Sequence, residues 1–517
     1  MQTPRVPPKP SSLVSFSPKT GARLGEVPVA APEDVAATVA RARLAQVEWA
    51  GLDVEERNAR LLRFREVLLA RADEIAARVS EENGKPAIES MGLLAPICAT
   101  IELHTDLAKR LARGQKVSPT FFLGARAVIH HEPLGVAGFI LPWNFPFELG
   151  VKHMIPALAA GNAVVQKPSQ ANPLIGELIV RLFAEAGLPK DLVQVVHGYA
   201  ETGKALVDAA DTICFVGSTA TGKQIMRQAA ETLTPVLLEL GGNDAAIVRR
   251  DADIPLTARG LINSTCYNAG QVCNGVERIY VPHELIDPLL VELQRLIPRL
   301  RLAFEASGDD YELGPFIWPP QLEVYEEHTA DALAKGAKVH CGGEVVRRGG
   351  GLYWPPTLLT GMTHEMLMMR EETFGPFIAI MSVSDDDEAV ALANDSRYGL
   401  GASVWTRDTA AGEALARRLR AGSVMINNAM QIGGCATLPF GGDGDSGVGR
   451  AQGEQVFFHY VATKSVMTSP GSSASLWMPY GPEAQRFFRG LSRTFYASKL
   501  GARAAGIYDL IVGRPQL

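Results

Sequence analysis

The sequence lacks any run of about 18 apolar residues, the length that a membrane-spanning helix needs. Its first residues, MQTPRVPPKPSSLVSFSP, contain no apolar segment of the kind found in signal peptides, so none is expected. The six cysteines include no CxxC pair, which argues against a disulfide framework and against a zinc ribbon. Basic residues form no stripe in a chain of net charge −6, so no nucleic-acid partner is expected. Together these absences predict a cytoplasmic protein.

The sequence does contain a regular alternation of apolar runs and helical segments. Its 517 residues are too many for one ordinary core, so two or three domains are expected. Residues 34 to 111 carry apolar side chains three and four positions apart, which predicts helices. From residue 154 to 246, and again from 261 to 424, short apolar runs alternate with helical segments. This alternation predicts an α/β fold with two lobes, each built on a parallel sheet, and a cleft between them.

The segment from Gly481 to Leu517 differs in kind from the rest of the chain. Apolar and basic side chains are interleaved here at helical spacing, the apolar ones being Phe487, Phe488, Leu491, Phe495, Tyr496 and Leu500, and the basic ones Arg486, Arg489, Arg493 and Lys499. This pattern predicts an amphipathic helix. Such a helix fits an anionic membrane surface. Packing on its own subunit or on an oligomer partner is nevertheless the favoured interpretation, because patterns of this kind are weak on their own.

Cys273 stands in a glycine- and amide-rich loop, NAGQVCNGVERIYV, that leads into an apolar strand. A cysteine usually behaves as a small buried hydrophobic residue, yet nothing around Cys273 in the sequence is typical of a core. No histidine or cysteine lies at ligand spacing, so a metal site is not expected. The loop alone leaves open whether the thiol is a nucleophile. Cys266, seven residues earlier, follows a helical segment and is interpreted as structural.

Two neighbouring strand ends carry residues suited to a nucleotide. In TICFVGSTATGKQIM an apolar strand is followed by a turn from Gly217 to Gly222 that contains Ser218 and opens a helix. Such a turn presents backbone N–H groups to an anion, although glycine is also needed there for geometry alone. Lys167 ends another predicted strand, in VVQKPSQ. Together the two ends resemble a dinucleotide crevice.

Three further stretches carry polar side chains in unusual places. Glu239 lies inside the apolar run PVLLELGG, where burial would raise its pKa towards the range of a general base. Asn144, in LPWNFPFELG, offers a neutral N–H donor suited to an oxyanion. Glu372 and Phe374 precede a Gly-Pro turn in EETFGPF. Each also has an ordinary structural explanation, as a solvent-facing strand end or a turn residue.

The motifs PWNFP, FVGST, LELGG, GQVC, EETFGPF and LPFGG…SGVGR closely resemble, in this order, the aldehyde dehydrogenase superfamily. The resemblance extends from about residue 15 to 470 and is nearest to a bacterial and plant branch with a long C-terminal extension. It implies a Rossmann-like NAD(P)-binding domain (residues 1–113 and 134–241) and an α/β catalytic domain (242–459). It also implies a β-hairpin oligomerisation arm (114–133 and 460–480), followed by the amphipathic C-terminal extension (481–517). A homodimer or homotetramer is expected.

The resemblance also implies a reaction, the oxidation of an aldehyde to its acid with NAD or NADP. Cys273 would attack the aldehyde, Asn144 would hold the oxygen, and Glu239 would activate water to release the acid from a thioester. The implied cofactor-binding residues are Trp143, Lys167, Ser169, Gln170, Gly217, Ser218, Gly222, Leu240, Glu372 and Phe374. Phe147 and Lys152 are the implied substrate residues. A catalytically silent membrane-peripheral or scaffold protein on the same fold is the alternative, and the intact set of three catalytic residues argues against it.

Three positions depart from the family pattern. Gln170 replaces the glutamate with which many NAD-using members repel a 2′-phosphate, so NADP is expected to be accepted along with NAD. His153 replaces a lysine behind the proton-relay region, and a histidine titrating near neutrality would alter the pH profile. Lys152 stands where similar semialdehyde dehydrogenases have a substrate-facing arginine, so it could bind a substrate carboxylate or, equally, point away from the substrate.

Overall fold

The computed structural model describes residues 11–120, 122, 124–306, 308, 310–469 and 480–512. Residues 1–10, part of the predicted arm (residues 470–479) and the last five residues therefore lie outside the described residues. Contacts divide the chain into two compact units, one of Met1–Ala108 with Pro133–Val461, the other of Lys109–Glu132 with Ala462–Leu517. The predicted separation of a coenzyme-binding and a catalytic domain falls within the first unit and stays a prediction.

Helices and strands alternate over residues 154–246 and 261–424, as the apolar pattern predicts. The strands are β1 (Ser12–Phe16), β2 (Arg23–Pro28), β3 (Gln115–Val117), β4 (Arg126–Pro133), β5 (Val136–Ile140), β6 (Ala163–Lys167), β7 (Val193–Val195), β8 (Thr212–Val216), β9 (Val236–Glu239), β10 (Asp244–Val248), β11 (Val276–Pro282), β12 (Lys338–Cys341), β13 (Val346–Arg348), β14 (Gly351–Tyr353), β15 (Thr357–Thr360), β16 (Phe377–Val383), β17 (Gly401–Trp405), β18 (Ser423–Ile426), β19 (Gly447–Val448) and β20 (Val461–Thr468). The helices are α1 (Pro32–Gly51), α2 (Val54–Ala70), α3 (Ala72–Asn83), α4 (Ala87–Gly92), α5 (Leu94–Leu111), α6 (Pro146–Ala159), α7 (Pro173–Glu185), α8 (Ala200–Ala209), α9 (Thr219–Ala230), α10 (Ile254–Cys266), α11 (His283–Leu296), α12 (Gln321–Ala334), α13 (Asp386–Asn394), α14 (Thr409–Ala416), α15 (Gln455–His459), α16 (Pro482–Tyr496) and α17 (Leu500–Val512).

The first sheet of the larger unit has the strand order β19-β9-β8-β5-β6-β7 among the described residues. Strands β5 to β9 run parallel, and β19 joins β9 in the antiparallel sense. Every residue of β6 and β8 is buried, as expected for parallel strands covered by helices on both faces. Because β6 and β8 flank β5 on opposite sides, the chain reverses direction across the sheet there. This switch point is where doubly wound sheets bind their ligands.

The second sheet has the order β12-β15-β16-β11-β10-β17-β18, and its strands run parallel except for the β12–β15 pair. Its core strands are runs of apolar residues such as FIAIMSV in β16, with large apolar side chains packed on both faces. The two sheets with their flanking helices confirm the predicted α/β fold with a Rossmann-like part. The loops that precede β11 and β16 carry Cys273 and Glu372.

The second unit contains the predicted arm. β3 and β4 pair antiparallel, with Lys116 opposite Val128, and β20 completes a sheet in the order β20-β4-β3. In the described part of the chain, up to Thr468, residues from both segments of the predicted arm thus share one sheet, and the role of the arm in oligomerisation stays a prediction. Lys464 of β20 also forms an ion pair with Glu132 of β4.

The C-terminal segment corrects the prediction of a single amphipathic helix. The chain leaves α16 at Ala497 in an extended conformation and returns as α17, so that the two helices form a hairpin. A Cβ added to Gly490 would come within 2.7 Å of the Gly506 carbonyl oxygen, so these glycines let the two backbones approach closely. Asp509 of α17 also accepts from Arg486 and Arg493 of α16. Helical periodicity carried no information about these long-range contacts.

Among the residues that the structure describes, no helix combines the length and the apolar character required to cross a membrane.

Candidate active site

A cavity of about 510 Å³ opens at the switch point of the first sheet. Its lining brings together the carboxyl ends of β5, β6, β8 and β9 with the loops that precede β11 and β16. Of the predicted site residues, it contains Trp143, Asn144, Lys167, Ser169, Gln170, Gly217, Ser218, Glu239, Leu240, Cys273, Glu372 and Phe374. Residues that are up to 231 positions apart in sequence, from Trp143 to Phe374, therefore share one site.

Asn144 follows β5 and is buried. Its side-chain Nδ2 donates to the backbone oxygen of Gln271 at 3.0 Å, which holds the amide in one orientation. An amide nitrogen carries two hydrogens, so this bond leaves the second N–H for a substrate oxygen. The geometry therefore suits a donor to an oxyanion.

Cys273 lies between a tight turn, Tyr267–Gly270, and strand β11. Its side chain is half-buried and lines the cavity. Burial, with the carboxyl groups of Glu239 and Glu372 nearby, raises the pKa of the Cys273 thiol. The thiol is thus a protonated group that needs a base, or a change in its surroundings, to become the nucleophilic thiolate.

Glu239 is the last residue of β9 and is buried. Burial raises the pKa of Glu239 to about 8, against the opposing charges of Arg450 and Lys152. Its Oε1 has no hydrogen-bond partner among the residues that the structure describes. A buried carboxyl group with one unsatisfied oxygen beside a thiol is suited to hold and deprotonate a water molecule.

The carboxyl ends of β6 and β8 form another side of the cavity. Ser218 caps α9, where its hydroxyl accepts from the backbone N–H of Thr221 at 3.4 Å, and both residues line the cavity at the N-terminus of this 12-residue helix. Lys167 is buried, and burial lowers its pKa to about 8. Its Nζ donates to the Pro168 carbonyl at 3.3 Å. A buried ammonium group beside a helix N-terminus fits a ligand that carries hydroxyl and phosphate oxygens.

Gly222 and Leu240 are placed differently from one another. Leu240 lines the cavity, whereas Gly222 lies outside its described lining. A Cβ added to Gly222 would come within 2.5 Å of a Leu240 methyl carbon, so Gly222 lets α9 pack closely on Leu240. Gly222 therefore affects the shape of the cavity only indirectly, through the position of Leu240.

Glu372 and Phe374 form the third side of the cavity. The Glu372 Oε1 accepts from the Gly242 N–H at 3.0 Å. Phe374 has a positive φ of 60°, which is unusual for a bulky residue, and its ring meets that of Trp143 edge to face at 5.4 Å. The buried Glu277 holds this conformation, because its carboxylate accepts from the N–H groups of Thr373 and Phe374 at 2.7 Å each. Sequence reasoning did not identify Glu277.

The predicted substrate residues lie on α6. Phe147 is buried, as is Lys152, whose Nζ donates to the Gly433 carbonyl and lies 3.7 Å from Glu148. Burial lowers the Lys152 pKa, with Glu148, Glu239 and Cys273 acting in the opposite direction. The Lys152 ammonium group is therefore close enough to the Glu239 carboxyl group and the Cys273 thiol to interact with them electrostatically.

His153 corrects an expectation. Burial, followed by the charge of Lys152, lowers its pKa to about 3, so the imidazole stays neutral in the physiological range. The expected titration of His153 near neutrality is wrong, because the sequence did not reveal how deeply α6 is buried.

The cavity also contains residues that sequence reasoning missed. Phe215 is the next-to-last residue of β8, and Trp318, Gln321 and Val324 come from the start of α12 and the loop before it. Phe215 stands in the FVGST motif but was given no role there, whereas no local motif marks Trp318, Gln321 or Val324, since only the packing of α12 near the strand ends brings them to the cavity.

Comparison with known proteins points to the same family that the sequence motifs resemble. The model of the aldehyde dehydrogenase family matches residues 6–466. The 4,4'-diapolycopene aldehyde oxidase of a Methylomonas species is 36% identical over 492 residues, 94% of this chain and 92% of that protein. A putative succinate-semialdehyde dehydrogenase [NADP(+)] of Mycolicibacterium smegmatis is 37% identical, over 89% of this chain and 90% of that protein. The crystal structure of an NAD-dependent aldehyde dehydrogenase from Sinorhizobium meliloti superposes with a TM-score of 0.86 at 32% identity, covering 91% of this chain and 93% of that one.

Proposed function

The chain belongs to the aldehyde dehydrogenase family and oxidises an aldehyde to the carboxylic acid with NAD or NADP, and we propose that Cys273, Glu239 and Asn144 carry out the chemistry. The observation that supports this assignment most is that all three side chains line one cavity at the switch point of the sheet. The catalytically silent alternative finds no support, since the relatives named above are enzymes.

In the first step, the Cys273 thiol gives up its proton to solvent water through the cavity that it lines, and the resulting thiolate sulfur bonds to the aldehyde carbon. The aldehyde oxygen becomes an oxyanion, which receives the second N–H of Asn144 and the backbone N–H of Cys273. The bond from Asn144 to Gln271 supports this role, because it orients the amide before the substrate arrives. The product of the step is a thiohemiacetal on Cys273.

In the following steps, Cys273 carries a thioester and then loses it to water. When NAD(P) is bound, its nicotinamide supplies the acceptor for the hydride that leaves the aldehyde carbon. Glu239 takes a proton from a water molecule, whose oxygen attacks the thioester carbon. The carbon–sulfur bond breaks, and the acid and the Cys273 thiolate are released.

The residues of the cavity fit a dinucleotide. Lys167 and Gln170 are proposed to contact the adenosine ribose, Ser218 and the start of α9 the pyrophosphate, and Glu372 the nicotinamide ribose. The buried ammonium of Lys167 supports this placement, because burial disfavours its charge and ligand oxygens would stabilise it.

We expect kcat/KM for NAD and for NADP to differ by less than about a hundredfold, which is about 2.7 kcal/mol. Gln170 is neutral and shares the cavity with Lys167, so a 2′-phosphate at these two residues meets a cation and a neutral amide. Replacing Gln170 with glutamate should lower kcat/KM for NADP by at least about tenfold and leave that for NAD within about twofold. The matched control is Gln455→Glu, which adds the same charge at an exposed position outside the described lining of the cavity. A preference for NAD above a hundredfold in the wild-type enzyme would contradict this proposal.

We further propose that Lys152 favours aldehydes that carry a carboxylate. Its buried charge beside the reacting groups supports this, while Glu148 at 3.7 Å neutralises part of the attraction. Lys152→Met should therefore raise KM for a semialdehyde by about tenfold while changing KM for a neutral aldehyde of equal length by less than about twofold. Steady-state rates followed by NAD(P)H absorbance measure both. Equal effects on the two substrates would contradict the proposed contact.

For the oligomer, we propose that a second copy of the chain covers the apolar face of the C-terminal hairpin, forming a homodimer or homotetramer. Exposed apolar side chains concentrate there: Phe488, Phe495, Tyr496, Leu500, Ile507, Tyr508, Ile511 and Val512. Exposed apolar patches of this kind mark interaction surfaces. A cytoplasmic location for this oligomer remains a prediction.

Combining Tyr496→Asp with Leu500→Asp should dissociate the oligomer by at least one step in light scattering coupled to size exclusion. These side chains are 68% and 85% exposed, so the change adds charge without opening a core. Leu44→Asp, at 74% exposure on α1, is the control that should leave the oligomer intact. Binding of the wild-type protein to anionic vesicles, lost in the double variant while the oligomer persists, would assign the face to a membrane instead.

A further inference from the structure

Lys85 is a buried cation that the proposed mechanism does not use. It lies just before α4, its side chain is 2% exposed, and its Nζ donates to the backbone oxygen of Asn144 at 2.8 Å. The same ammonium group lies 3.7 Å from the centroid of the Phe145 ring. A charge buried this deeply is unfavourable unless partners stabilise it, so its contacts with the residues beside the cavity are the ones that retain it.

Glu89, one turn further along, provides the balancing charge. Burial lowers the pKa of Lys85 to about 8 and raises that of Glu89 to about 7, and each charge opposes the effect of burial on the other. The Glu89 Oε1 accepts from the backbone N–H of Asn268 at 3.1 Å, and Tyr267 donates its hydroxyl to the Glu89 carbonyl at 3.3 Å. The pair thus holds Asn144 with one member and the turn before Cys273 with the other.

Asn268 connects these two contacts. Its Nδ2 donates to the Asn144 carbonyl at 3.0 Å and to the Gln271 carbonyl at 3.2 Å. The Gln271 carbonyl is also the acceptor for the Asn144 side chain. The backbone and the side chain of Asn144 are therefore both tied to the turn that leads to Cys273.

The turn that leads to Cys273 has a backbone conformation that needs stabilising contacts. Asn268 and Ala269 have φ values of 50° and 53°, in the left-handed region that non-glycine residues rarely adopt. Two such residues in succession persist only where surrounding contacts impose them, and they concentrate at functional sites. Two hydrogen bonds provide such contacts: the Asn268 N–H donates to the Glu89 carboxyl group, and the Gln271 side chain donates to the Asn268 carbonyl at 2.9 Å.

We propose that Lys85 is a positioning residue that, together with Glu89, holds Asn144 and the turn from Asn268 to Cys273 in the arrangement that receives the aldehyde oxygen. The inference rests on the proposed function, in that Asn144 and the Cys273 N–H are the donors to that oxygen. Lys85 touches neither substrate nor coenzyme. It acts through the Asn144 backbone, four covalent bonds from the amide that points to the cavity.

The test uses full-length enzyme and a double-mutant cycle. Lys85→Met keeps the length of the side chain and removes the charge, and it should lower kcat by about 10²-fold, since small displacements of catalytic groups have effects of this size. The dissociation constant for NAD(P)H, measured by fluorescence, should stay within about twofold. In an Asn144→Ala background the same Lys85→Met change should lower kcat by less than about threefold, because the group that Lys85 positions is gone. Lys190→Met, at an exposed position, is the control and should have no effect.

Each possible result of these measurements either supports or overturns the proposed role of Lys85. A loss of kcat that is equal in both backgrounds would show a role independent of Asn144 and overturn the inference, as would a wild-type kcat in Lys85→Met. If Lys85→Met does not fold, the neutral pair Lys85→Met with Glu89→Gln leaves no unbalanced buried charge and should fold with the same loss of kcat; a wild-type kcat in that variant would also overturn it. An Asn144→Ala variant with unchanged kcat would instead contradict the proposed oxyanion site, and the inference with it.

Discussion

Replacing Cys273 with alanine is expected to lower kcat/KM for every aldehyde by at least about 10⁴-fold, because the covalent route is lost entirely. Within the described lining of the cavity, Cys273 is the one thiol. Glu239 cannot replace it as the attacking group, because its carboxyl is largely protonated at neutral pH. Coenzyme binding should persist, since Lys167, Ser218 and Glu372 are unchanged. Rates are measured by NAD(P)H absorbance, and coenzyme binding by fluorescence quenching.

Cys266 provides a matched control for this prediction. It ends α10, is buried, and burial raises its pKa to about 12, so it remains a protonated thiol packed in a core. Cys266→Ala should keep kcat/KM within about threefold, with a loss of stability of about 1 kcal/mol at most for the small cavity that it leaves. Retention of more than one hundredth of the activity in Cys273→Ala, or its disappearance in Cys266→Ala, would assign the nucleophile to another group.

The fold followed from the sequence because its parallel strands are buried on both faces. Runs such as TICFV in β8 are predominantly apolar and buried at every position, and they are separated by amphipathic helices, so their pattern reflects burial directly. The C-terminal hairpin of α16 and α17 could not be predicted from the sequence pattern. The turn at Ala497 depends on Gly490 lying against Gly506, and periodicity within one helix contains no information about its partner.

The residues of the candidate site fall into two groups in the same way: some lie in local motifs, and others have a role that only the folded structure shows. Cys273, Glu239 and Asn144 lie in local motifs, so their chemistry could be proposed before their distance was known. Glu277 and Lys85 lie in unremarkable stretches, and each has a role to assign only because folding places it against the backbone of a site residue. The neutral state of His153 likewise depends on burial that α6 acquires from the whole unit.

Replacing Glu239 with glutamine should lower the steady-state kcat by about 10²- to 10⁴-fold, the range typical of a lost general base. The first turnover should survive, because Cys273 and Asn144 remain to form the thiohemiacetal and the thioester. Stopped-flow mixing should therefore show a burst of NAD(P)H close to one equivalent per active site, followed by a slow phase. Mass spectrometry should find the acyl group on Cys273. Glu231→Gln, at an exposed position past α9, is the control and should show wild-type turnover.

The same carboxyl group should set the pH dependence of this step. Burial raises the pKa of Glu239 to about 8, and only the ionised form can accept a proton from water. Where deacylation limits the rate, kcat should rise about tenfold per pH unit below 8 and level off above it, since the ionised fraction follows that course. In Glu239→Gln this limb should disappear and the slow phase should become nearly independent of pH between 6 and 8. If instead a limb with a midpoint near 8 persisted in the variant, the titrating group would be another one, with the Cys273 thiol the next to test, and Glu239 would not be the base.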